Sequence, residues 1–156
     1  IKSIGVVMLG IGIMFMVLFR SMTLAVIGLL PNLLSAGVIL GVMGWVGIPL
    51  DMMTITIAAI TIGIAVDDGI HYIYRFREEY AHTRNYEQTM KICHSSIGKA
   101  MVYTTVTIII GFSSLVLSNF IPTIYFGVLT GAAMFIALLA ALTVLPKLIL
   151  LWKPFG

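Results

Sequence analysis

Five apolar stretches, each long enough to cross a bilayer, constrain this chain more than any other feature. A spanning helix needs about 20 apolar residues, with a range of ~17–25. The stretches run roughly over residues 3–19, 22–46, 53–74, 100–118 and 123–151. Three connections are short: Arg20-Ser21, the GIPLD of 47–51 and the NFIP of 119–122. The fourth, 75–99, is polar and long enough for structure of its own. Only 10% of the 156 residues are charged and 60% are hydrophobic. Soluble domains are ~25% charged, so this chain has more apolar surface than a soluble core could hide. The expected fold is an all-α integral membrane bundle of five transmembrane helices, one domain over 1–156.

Charge distribution sets the expected orientation. If the first span runs from outside to inside, the inner side receives Arg20, Arg75, Arg77, Arg84, Lys91, Lys99, Lys147 and Lys153, and the outer side only Lys2. Such an asymmetry follows the positive-inside rule. It places the N-terminus outside and the C-terminus in the cytoplasm. The first apolar stretch has no small-residue cleavage site and leads directly into another, so no cleavable signal peptide is expected. The chain opens on IKSIGVVMLG without a start methionine, as expected of a piece of a longer polypeptide. Asp51, in an outer loop, reads as solvated. The single cysteine, Cys93, excludes an internal disulfide and a cysteine metal site.

Within 75–99, Asn85 followed by Gln88 resembles a capping box. Tyr86, Met90, Cys93 and Ile97 then recur at i, i+4, i+7 and i+11, an apolar stripe on a polar helix. A short cytoplasmic amphipathic helix over about 85–98 is expected. It lies on the membrane face, packs on the inner rim of the bundle, or does both.

The third span interrupts its own pattern with GIAVDDGIHY, residues 63–72. Asp67 and Asp68 precede Arg75 by seven or eight residues, roughly 10–12 Å of helix. That depth is inside the hydrocarbon, where one Asp costs ~2.5–3.5 kcal/mol on insertion scales. Two ionised neighbours cost more, because like charges repel. Intramembrane carboxylates of this kind mark functional sites. His71 lies four residues from Asp67 and three from Asp68, so it projects near both. Its bland reading is an interfacial histidine.

The fourth span adds Lys99 at its start, then Thr104, Thr105 and Thr107. Lys99 is either a snorkelling anchor or a counter-charge to the aspartates. The threonines either back-bond to their own helix or face the carboxylates. Gly63 and Gly69 flank the pair. The row Gly37, Gly41, Gly44, together with Gly63, Gly127 and Gly131, reads as helix-packing surface.

Two carboxylates can act as general acid and base. Adjacent helical positions point about 100° apart, however, and no second intramembrane carboxylate lies elsewhere in the chain. Proteolysis is therefore disfavoured, and the chain is not expected to be an enzyme. The Asp67, Asp68, His71 spacing matches no metal signature. No metal, cofactor or nucleic acid is expected. Proton or ion coupling suits the pair better, since one charge crossing 100 mV releases ~2.3 kcal/mol.

GIAVDDGIHYIYRFREEY resembles the fourth-helix motif of the resistance-nodulation-division (RND) superfamily, in its MMPL-like branch of hydrophobe and lipid exporters. RSMTLAVIGLLPNLLSAGVILGVMGWVGIPLDMMT is similar to the two preceding helices of that family. SSIGKAMVYTTVTIIIGFSSLVLSNFIPTIYFGVLTG and ALTVLPKLILLWKP are similar to the next helix and to the end of a repeat. The resemblance covers essentially the whole chain. It implies the last five helices of a six-helix repeat, the C-terminal repeat in particular, in a bacterial inner membrane. It implies that Asp67 and Asp68 couple protons, with Thr104, Lys99 and His71 as further members. It also implies partners: the other repeat and a porter domain absent from this chain, membrane lipids, a hydrophobic substrate, and a homo-oligomer as a compatible assembly. Two other functions share the layout. Sterol-sensing domains have the same five helices and bind lipid without transport, and a purely structural oligomerisation module would depend on the glycine rows alone.

Overall fold

The computed structural model describes residues 2–49 and 51–153. Every regular element among them is helical: α1 (Lys2–Phe19), α2 (Met22–Val46), α3 (Met52–Thr83), α4 (Tyr86–Ser95), α5 (Ile97–Ser113), a 3-10 turn (Ser114–Leu117) and α6 (Ile121–Trp152). Five helical segments are long and apolar enough to span a bilayer; α4, α5 and the 3-10 turn together make up one of them. The all-α membrane bundle read from the sequence is the fold observed.

Helix α6 is the hub, packing against α2, α3 and α5, while α1 rests chiefly on α2. The sequence of α6 explains this role. Gly127, Thr130, Gly131, Ala133, Ala137, Ala140 and Ala141 are all buried, and their small side chains let neighbouring backbones approach. The closest approach is at Gly127, where a Cβ would sit 2.6 Å from the Phe112 carbonyl oxygen and 3.0 Å from the Leu115 Cβ. At that level α5 tightens into its 3-10 turn. On the other side of the bundle, Gly28 of α2 admits Phe15 of α1 and Ile73 of α3 within 3.2 Å of where a Cβ would lie.

Helix α3 extends well beyond its apolar segment. Its 32 residues make a rod of roughly 48 Å, against a hydrocarbon core of about 30 Å. The polar end RFREEYAHT stays helical because its charges pair along one face. Arg75 reaches Glu79 at 2.8 Å and Glu78 at 3.4 Å. The helix stops at Arg84, which adopts the left-handed conformation with φ 55°. Helix α4 then folds back, capped by Asn85 Oδ1, which accepts from the amides of Glu87 and Gln88. Its apolar stripe faces inward. Cys93 is buried, Tyr86, Met90 and Ile97 pack on the same cluster, and the Tyr86 ring lies 4.5 Å from that of Tyr80 and 6.1 Å from that of Phe76. Helix α4 thus packs on the rim of the bundle.

Asp51 is solvent-exposed, as its loop position suggests, and it also caps α3. Its Oδ1 accepts from the Thr54 amide at 2.9 Å, and the Thr54 hydroxyl accepts from the Asp51 amide at 2.9 Å. This is a reciprocal capping box. The Thr54 amide holds the Asp51 carboxyl below its ordinary value of 3.8. A carboxyl depressed in the folded state stabilises fully above that ordinary value and loses its effect as pH falls through the depressed one. Asp51→Ala should therefore lower the thermal midpoint at neutral pH. The gap from wild type should close as the pH drops below 3.8, which melts in detergent at neutral and acid pH will check.

Candidate functional site

The carboxylates sit where α3 turns one face out of the bundle. Residues Ala65, Val66, Gly69, Tyr72, Ile73 and Phe76 are buried on one side of the helix. Ala59, Gly63, Asp67 and His71, four residues apart in turn, form an exposed row on the other. The Asp67 side chain is 70% exposed and that of His71 62%, so this bundle itself covers neither. His71 Nε2 lies 3.4 Å from Asp67 Oδ1, one helical turn away. The contact is an ion pair when His71 carries a proton. Asp68, about 100° around the helix, is half-buried at the edge of the row.

The other sequence-derived site residues are placed as follows. Thr104 is exposed, and its hydroxyl donates to the Ala100 carbonyl at 2.9 Å; Thr107 bonds in the same way to Tyr103. Thr105, between them, is buried. Lys99 is exposed in the first turn of α5 and lines a groove of about 240 Å³ with His94, Gly98, Val102, Tyr103 and Leu142. Among the described residues, no hydrogen bond or ion pair joins Asp67 or Asp68 to Thr104 or Lys99. The structure thus brings Asp67 and His71 together, with Asp68 beside them, and leaves Thr104 and Lys99 unlinked to them. Of the glycines, Gly127 and Gly131 are buried in α6. Gly37, Gly41 and Gly63 face outward, with nothing within 4 Å of where a Cβ would be.

Several buried polar groups escaped the sequence reading. Asn32 is 1% exposed next to Pro31, and its Nδ2 donates to the Gly28 carbonyl at 3.1 Å. Ser35 donates to the Pro31 carbonyl at 2.8 Å. The Oδ1 of Asn32, the hydroxyl of Tyr72 and the hydroxyl of Thr130 are buried without a hydrogen-bond partner among the described residues. An asparagine inside an apolar run was a visible signal for the first of these; burial of the others depends on which helix faces which.

A bundle of long apolar helices, one of which carries two adjacent aspartates within its apolar run, defines a multi-pass membrane protein. The chain belongs to the MMPL family, which it matches over residues 1–155. It is 31% identical to a Methanocaldococcus jannaschii protein described only as a membrane protein, over 92% of this chain and 37% of that one. It is 32% identical to the hopanoid transporter HpnN of Burkholderia multivorans, over 69% of this chain and 12% of that one. It is 26% identical to the apo-petrobactin exporter of Bacillus anthracis, over 97% of this chain and 21% of that one. The chain therefore spans well under half the length of these relatives. No solved structure matches it.

Proposed function

We propose that this chain is the proton-coupling membrane part of an RND-type secondary active exporter that moves lipids or other hydrophobic molecules. The observation that carries the reading is the outward row of α3, where Asp67 and His71 touch at 3.4 Å with Asp68 alongside. A carboxylate left facing lipid would be strongly unfavourable. The row is therefore covered in the intact protein by its remainder, the other repeat, with a water path to the carboxylates. Membership of the MMPL family and the transporter relatives support the export of hydrophobic compounds.

Coupling follows from charge. An ionised Asp67 attracts a protonated His71 and any cation presented by the covering helices; a neutral Asp67 does not. Taking up a proton from one side and releasing it to the other would shift α3 against its partners once per cycle. Lys99 and Thr104, at the cytoplasmic end of α5, would act on the proton's approach. By charge distribution the N-terminus faces outside and the C-terminus the cytoplasm of a bacterial inner membrane. The porter domain that selects substrate lies outside these residues. The test is export by the intact protein with the pH gradient collapsed by nigericin and the electrical potential clamped. Proton coupling requires export to fall; undiminished export would rule it out.

A further inference from the structure

We infer that His94 stands in for the amide that Pro146 lacks, and that this single bond latches the peripheral helix α4 to the hub helix α6. Pro146 lies inside α6, six residues before its end. A proline has no backbone N–H, so the helical bond that residue 146 should give to the carbonyl of residue 142 cannot form. The Leu142 carbonyl does have a donor. His94 Nε2, from α4, lies 3.1 Å from the Leu142 oxygen, across 48 residues of sequence. A carbonyl only accepts, so Nε2 carries the hydrogen and the ring tautomer is fixed.

The surroundings are built for this contact. The Tyr72 ring of α3 backs the His94 ring at 5.9 Å between centroids. Gly98 lies against the pair: a Cβ there would make ordinary van der Waals contact with Leu142 Cδ2 at 3.6 Å and His94 Cδ2 at 3.7 Å. The proline of α2 is treated differently. Its neighbours Asn32 and Ser35 donate to Gly28 and Pro31, carbonyls of their own helix, and so tie no second element to the break. At Pro146 the donor comes from another helix. Helix α4 thus shares one apolar cluster with α3 and α6 and adds a single directional bond to α6. Any movement of α6 at its proline is passed to α4. This inference is independent of proton coupling and does not depend on what the protein exports.

Cys93, on the buried face of α4 next to His94, reports whether the helix is seated. In the intact protein, with any cysteine elsewhere replaced, maleimide labelling of Cys93 would be timed for wild type, His94→Phe, Pro146→Ala and the double variant. His94→Phe keeps a ring against Tyr72 and removes only the donor. Loss of one such bond should speed labelling about fivefold. With Pro146→Ala the new amide takes the Leu142 carbonyl, so adding His94→Phe should change labelling less than about twofold. Equal effects in the two backgrounds, or no effect in wild type, would overturn the latch. If His94→Phe accumulates only together with Pro146→Ala, that rescue supports it; failure in both backgrounds counts against it.

Discussion

Asp67→Asn and Asp68→Asn, made singly in the intact protein, are expected to abolish proton-driven export while expression and assembly survive. Each change keeps the shape of the side chain and removes its ability to carry charge. Asp67 is 70% exposed from this bundle, so its replacement disturbs little packing within the five helices. Losing one coupled charge at 100 mV removes ~2.3 kcal/mol of driving force, or about 50-fold in a transport equilibrium. The two aspartates should not behave identically. Of the two, Asp67 lies within ion-pair distance of His71, so in whatever export remains a further His71→Ala should change less after Asp67→Asn than after Asp68→Asn. His71→Ala should still weaken export in the Asp68→Asn background if any export remains there. Efflux assays in membranes matched for protein level will check this. Normal proton-driven export by the double Asp variant would sink the proton-coupling account.

Gly127→Ala should cost more stability than a glycine-to-alanine change at any other described glycine. The added Cβ would meet the Phe112 carbonyl oxygen at 2.6 Å and the Leu115 Cβ at 3.0 Å. The first obstacle is backbone, which cannot rotate aside as a side chain can, so α5 and α6 must separate. Overpacking of this kind typically costs 1–3 kcal/mol, and Gly127→Val should cost more and lower accumulation. Gly37→Ala and Gly63→Ala are the contrast. Neither Cβ would touch anything in this bundle, and alanine is the better helix former by roughly 0.5–1 kcal/mol. Within the bundle these two changes should be neutral or stabilising. Thermal midpoints of the purified protein will separate the two groups. Damage from Gly63→Ala would show that the Asp67 row meets a close neighbour supplied by the rest of the protein. Wild-type stability of Gly127→Ala would contradict the packing described for α5 and α6.

The spans were legible because a bilayer demands a long apolar run and little else imitates one. The stripe of the 85–98 segment was legible for a similar reason: Tyr86, Met90 and Cys93 of α4 and Ile97 at the start of α5 keep helical spacing through a polar segment. The extension of α3 from 75 to 83 was not, because RFREEYAHT offers only Phe76 and Tyr80 as an apolar face; these two pack on the core cluster while Arg75 pairs with Glu78 and Glu79. Asp51 carried a readable signal, a capping residue three positions before Thr54, that its loop setting obscured. The glycine rows show the deeper limit. Spacing alone says that a face can be approached closely, not which face the fold uses. Gly127 and Gly131 turned inward while Gly37, Gly41 and Gly63 turned outward. Asp67 and Asp68 stood out as a pair, and His71 could be joined to Asp67 from the i,i+4 spacing. The contact of His94 with Leu142 could not be foreseen, since it depends on two helices meeting across 48 residues.

Proton movement itself is the most direct measure of the central claim. The intact protein would be placed in liposomes enclosing a pH-sensitive dye, and a hydrophobic substrate that it exports would be added. The account predicts a substrate-dependent change in lumenal pH for wild type and none for the Asp67→Asn/Asp68→Asn double variant. A lumenal pH change of wild-type size in that double variant would contradict it.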